Sequence, residues 1–183
     1  LYRQLKEVFD FHFLQDADAD VEFDELGPHL LDNSSLFDRV MTNIGNTYDH
    51  LVDSVGLDAV MLELQFNKLP AQHLDNRALI EFANKNSIQD KLIVTCDSHY
   101  SRPEHWKERE LYKKLGWMNH REFNPDSIPK SREELKCELY PKNASQVWDS
   151  YCETTRGMEF YDNQVICDAI ERTHDIAHEM IGD

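Results

Sequence analysis

The sequence predicts an α/β protein, and three adjoining stretches carry the prediction. "AVMLELQF" (59–66) alternates, with Val60, Leu62, Leu64 and Phe66 on one face and Met61, Glu63 and Gln65 on the other. That two-residue period is the period of a strand. "LDNRALIEFANKNS" follows, with Asp75 placed to cap a helix and Ala78, Leu79, Phe82 and Ala83 forming its apolar stripe. "KLIVT" (91–95) then reads as a buried strand. Strand, helix and strand in this order make a βαβ unit, whose two strands run parallel.

The remaining elements are read in chain order. Leu5, Val8, Phe9 and His12 recur at helical spacing in the first fifteen residues, and the acidic run "DADADVEFDE" then breaks the pattern. That run lacks the glycine turn and terminal glutamate of an EF-hand loop, so it is read as a solvated loop. Over 34–55, Phe37, Val40, Met41, Ile44, Tyr48, Leu51, Val52 and Val55 step by three and four, with Asn33 or Ser34 to start the helix and Gly56 to close it. After the βαβ unit, Pro103 suits the first turn of a helix running to Leu115 and closed by Gly116. Its acids (Glu104, Glu108, Glu110) lie early and its bases (Lys113, Lys114) late, as the helix dipole favours. A loop rich in Asn, Pro and Ser spans 119–131. A short helix starts at Asn143 with Gln146 three positions on, and a last one near 163–181 is expected to bury Val165, Ile166, Ala169, Ile170, Thr173, Ala177 and Met180.

Composition bounds the function. Of 183 residues, 40% are hydrophobic and 10% aromatic, enough for a packed core and too many for a disordered chain. Nineteen basic against thirty-five acidic residues give a net charge of -16. Such a surface repels phosphate backbones, so if the protein works on DNA the gripping face lies outside this segment. The same acidity is the ordinary condition of a soluble cytoplasmic protein, and that is the simpler reading. No apolar run reaches membrane-spanning length, and no signal peptide is legible. Cys96, Cys137, Cys152 and Cys167 form no C-x-x-C pair, the usage of a reducing compartment, and a cytoplasmic protein is expected. A chain that begins at Leu1 and stops after "EMIGD" is expected to be a piece of a longer reading frame.

The chemistry concentrates at "TCDSHY" (95–100). In a parallel α/β unit Asp97 and His99 fall at the carboxyl end of the second strand, where ligands collect. A carboxylate offers charge and hard oxygen, an imidazole offers nitrogen, and a two-residue step can aim both at one cation. The competing reading is a hydrogen-bonded pair at a turn. His174 and His178 share a helix face, but Asp175 stands where the zincin pattern needs glutamate, and a solvated edge is the simpler reading. Glu63 and Gln65 suit a cavity wall or an exposed face equally, and Cys96 is read as a structural thiol. No Walker loop, dinucleotide fingerprint or G-x-S-x-G occurs.

Three stretches taken together, "VMLELQFNKLPAQHLDNRALIEFANKN", "LIVTCDSHYSRPEHW" and "ELYPKNASQVWDSY…AIERTHDIA", resemble the later part of the PHP (polymerase and histidinol phosphatase) domain of bacterial and phage replicative polymerases, the DNA polymerase III alpha family. The resemblance runs over about 36–181 and is densest over 59–100. It implies the second half of a distorted seven-stranded (β/α) barrel at 34–118, with a mostly helical connection towards the palm at 119–183. Residues 1–33 fit poorly and read as an insertion. It makes Asp97 and His99 ligands of a divalent metal, zinc or manganese, in a phosphodiester-hydrolysing site of the proofreading 3′–5′ exonuclease kind or in a degenerate supporting domain. DNA, deoxynucleotides, other replisome subunits and a polymerase-site magnesium would engage regions outside this segment, with no membrane partner. The family's first H-x-H pair is absent, His12 and His29 do not match its contexts, and Cys96 replaces its usual asparagine. The segment alone is therefore expected to be inactive. The alternatives are a stand-alone PHP phosphoesterase and a non-catalytic replisome scaffold.

Overall fold

Helix α1 (Ser34–Val55) spans the residues that the apolar spacing marks out. Val40, Ile44 and Tyr48 lie on its buried stripe, and Gly56 ends it at a φ of 90°, donating its N–H to Val52 O at 2.8 Å. Glycine takes this left-handed geometry without steric cost, which is why the helix stops there. The last apolar positions of the stripe, Leu51 and Val55, are exposed. The computed structural model describes residues 34–118, 128–156, 158 and 160–181. The readings for the first thirty-three residues, and for most of the Asn/Pro/Ser loop, lie outside them.

A 3₁₀ turn (Leu57–Ala59) leads into strand β1 (Leu62–Leu64). Helix α2 (Pro70–Asn86) then crosses to a second 3₁₀ turn (Gln89–Lys91) and strand β2 (Leu92–Val94). The strands pair in parallel, Leu62 with Leu92, Glu63 with Ile93 and Leu64 with Val94, as the βαβ reading requires. Val60, Leu62, Leu64 and Phe66 are all buried while Glu63 is exposed, so the alternation is real. Asp75 does not cap α2: Pro70 starts that helix, placing Asp75 in its second turn. Proline fits because its missing N–H would be unpaired there anyway.

The described residues fall into two compact units, one formed by 34–64, 70–95 and 158–181 and the other by 65–69 and 96–156. In the first, α1 packs on α2, α2 on β1, and helix α5 (Asn163–Ile181) on β2. Leu64, Leu92, Ile166, Ala169 and Ala83 are at the centre with no measurable exposure. Ala177, expected in the buried stripe of α5, is instead exposed, because it lies past the helix's contacts with β2 at Arg172 and Thr173. Tyr161, just before α5, holds the first half of α2: its hydroxyl lies 2.9 Å from Nδ1 of His73 and accepts a 2.9 Å bond from the Asn76 amide.

Helix α5 also satisfies the outer edge of β2. The Val94 N–H donates to Oγ1 of Thr173 at 3.0 Å, and that hydroxyl lies 3.0 Å from Val94 O. Arg172 donates to the carbonyls of Leu92 and Gln89. Two side chains of a helix thus stand where a third strand would otherwise pair.

In the second unit a 3₁₀ turn (Pro103–His105) runs into helix α3 (Trp106–Trp117), and helix α4 (Ala144–Thr154) follows. Gly116 lies inside α3 rather than after it. Asn143 and Gln146 form the expected capping box, with Gln146 N donating to Asn143 Oδ1 at 2.9 Å and Asn143 N to Gln146 Oε1 at 3.0 Å.

Candidate metal centre at the Asp97–His99 turn

Strand β2 stops at Val94, one residue short of the predicted end, although the Thr95 N–H still donates to Leu64 O at 3.0 Å. Asp97 therefore sits not on a strand tip but in a turn, at a φ of 45°. Aspartate tolerates this left-handed region better than most residues, and backbone strain of this kind clusters at functional sites.

The turn is held by the backbone of one residue of the same unit. Leu139 O accepts N–H bonds from His99 at 2.7 Å and Tyr100 at 3.1 Å, while the Leu139 N–H donates to the Tyr100 hydroxyl at 3.1 Å. Leu139 and Tyr140 are buried, which anchors the clamp in the unit's core.

Asp97 and His99 stay together. Nδ1 of His99 lies 2.6 Å from the carbonyl oxygen of Asp97 and 3.8 Å from its carboxylate. A carbonyl only accepts, so Nδ1 carries a proton, and in the neutral ring the lone pair resides on Nε2. A hydrogen bond of this type orients a histidine ring and fixes its tautomer where the other nitrogen binds a metal. Their side chains are 53% and 46% exposed, so an ion from solvent can reach both. They supply two donors. Among the described residues no group of three or more His, Cys, Asp or Glu side chains gathers to hold a metal.

The other residues singled out in the sequence occupy separate places. Glu63 takes a hydrogen bond from the Thr95 hydroxyl. Gln65 accepts a 3.4 Å bond from the Asn67 amide. His174 and His178 do face one another on α5, edge to face with ring centroids 4.3 Å apart, and both are exposed. His12 and His29 lie outside the described residues. Sequence reasoning missed the ionisable groups around the turn. Burial pushes the Cys137 thiol up, and the Asp97 carboxylate adds to that rise. Burial pulls the Lys142 ammonium down. No spacing rule announces either residue, because each is brought in by a connection far along the chain.

No family model and no solved structure matches this chain. A stretch of 47 residues is 51% identical to the DNA polymerase III subunit alpha of Aquifex aeolicus (strain VF5). The match covers 26% of this chain and 4% of that protein, so the chain corresponds to a small part of its relative's length. No helix among the described residues is long and apolar enough to cross a membrane.

Proposed function

We propose that this chain is a segment of a C-family replicative DNA polymerase, the later part of its PHP domain with the connection towards the palm. The observation that carries the reading is the 51% identity over 47 residues to a DNA polymerase III alpha subunit. The parallel β1–α2–β2 unit adds support, because a (β/α) barrel is assembled from such units.

On this reading Asp97 and His99 are two donors to a divalent cation, zinc or manganese, completed by residues beyond this chain. When bound, the cation would supply Lewis acidity and a water acidic enough to attack a phosphodiester. Asp97 contributes negative charge and a hard oxygen. His99 contributes the Nε2 lone pair of its neutral ring, the tautomer set by the bond from Nδ1 to the Asp97 carbonyl. Leu139 holds His99 and Tyr100 at the turn. The chemistry is that of a proofreading 3′–5′ exonuclease. DNA, deoxynucleotides, a polymerase-site magnesium and replisome subunits belong to the parts of the polymerase outside this segment.

The test is elemental analysis of the purified protein that contains this chain. Asp97→Ala together with His99→Ala should lower its bound zinc or manganese, and unchanged metal content refutes the assignment. A circular dichroism spectrum matching the parent shows that any loss comes from ligands and not from unfolding.

A further inference from the structure

Helix α5 continues beyond the residues that bind the edge of β2. Arg172 and Thr173 make those bonds, and from His174 to Glu179 no residue is buried. Glu171, His174, Asp175 and His178 recur there at steps of three and four, so they share one helix face, and all four are exposed. A solvated edge needs no particular arrangement of its side chains. These two histidines have one: their rings stand edge to face, with centroids 4.3 Å apart and planes 75° from parallel.

Among the described residues neither imidazole is held by a hydrogen bond or an ion pair, so no protein group competes for the ring nitrogens. Two imidazoles bound end-on to one zinc, each at about 2.0–2.1 Å, hold their ring centres roughly 4.5–5 Å apart. The observed spacing is a small side-chain rotation away from that. The helix makes the arrangement possible. In an extended chain four residues span about 13 Å, too far for both rings to reach one ion, whereas one helical turn stacks them on the same face. Glu171 and Asp175 flank the pair and add negative potential that favours a cation.

We infer that His174 and His178 chelate a divalent transition-metal ion on the exposed face of α5. Imidazole nitrogen suits zinc, copper and nickel, whereas magnesium and calcium prefer oxygen donors. Among the described residues no third His, Cys, Asp or Glu side chain gathers as a ligand, so water fills the remaining positions. Two donors make an open, exchangeable site, weaker than a structural zinc site with four. The inference is independent of the metal reading at the turn, since neither Asp97 nor His99 belongs to this pair.

The experiment is a titration of the 183-residue chain with zinc sulfate, following histidine ring NMR signals against magnesium sulfate at matched ionic strength. Saturable one-to-one shifts at His174 and His178 are expected with zinc and not with magnesium. The signals are resolved by residue, so zinc at the Asp97–His99 turn is read separately, on the His99 ring. His174→Ala and His178→Ala should each weaken binding about tenfold or more, since losing even an outer-shell partner of a ligand costs about that. His50→Ala, an exposed histidine on α1, leaves it unchanged. His178→Ala combined with Glu179→His keeps the number of histidines but moves the second ring off the shared face. It should bind no better than His178→Ala alone. Circular dichroism checks each variant, and if His178→Ala does not fold, His174→Ala decides. Equal shifts with magnesium, no saturation at the two rings, or full zinc binding by either folded single alanine variant or by the respaced one overturns the inference.

Discussion

Asp75 offers the sharpest test of how the first unit is held together. It lies one and a half turns into α2, its Oδ1 is buried, and no hydrogen bond reaches that oxygen among the described residues. Burial pushes its carboxyl from the usual 3.8 up to about 7. The folded protein therefore holds this proton across a range in which the unfolded chain releases it. Stability from this group is fully present below about pH 3.8 and is lost as pH rises through about 7. The interval spans roughly three pH units at about 1.4 kcal/mol each, so the loss approaches ~4 kcal/mol. Against a typical domain stability of about 5–15 kcal/mol this is large. The perturbation is Asp75→Asn, which mimics the protonated acid at every pH. Urea denaturation of both proteins between about pH 4 and pH 8 should give similar stabilities at the acid end. The variant should pull ahead by up to ~4 kcal/mol at the alkaline end. A gap of equal size at both ends would refute the reasoning.

Other substitutions probe single contacts. Thr173→Val keeps the shape but removes the hydroxyl that serves Val94 N–H and lies beside Val94 O, and should cost about 1–3 kcal/mol in a chemical melt, whereas Thr173→Ser stays near the parent. A valine variant as stable as the parent would show that the hydroxyl holds nothing. Leu64→Ala at a fully buried strand position should cost about 2–5 kcal/mol, read in the same melt. Asn143→Ala removes the capping box of α4 and should cost about 1 kcal/mol, with faster amide exchange at Gln146 than in the parent.

What the sequence made legible was local. The alternation of Val60, Leu62, Leu64 and Phe66, the stripe of α1 and the Asn143–Gln146 box all depend on residues a few positions apart, and each has its structural counterpart. Asp75 was misread as a cap because its type suits that role, while the helix had already begun at Pro70. Gly116 was misread as a stop because an exposed helix accommodates a glycine at modest cost. The Tyr161 anchor under α2 and the Leu139 clamp on the Asp97–His99 turn join segments from about 40 to 90 residues apart, as the separations of their contacts show. Spacing rules carry no signal across such distances. The Asp97–His99 pair was found by residue type alone. Its left-handed turn was not, because no glycine marks it.

The arrangement at the outer edge of β2 gives the small sheet a direction of growth. Backbone groups that could recruit another strand are occupied there by Thr173 and Arg172, so an incoming chain would have to evict helix α5 first. While that helix stays docked, a larger sheet containing these two strands grows from β1, and pairing another strand to β2 requires the helix to leave its edge. A peptide designed to pair with β2 should find no purchase while the helix remains docked.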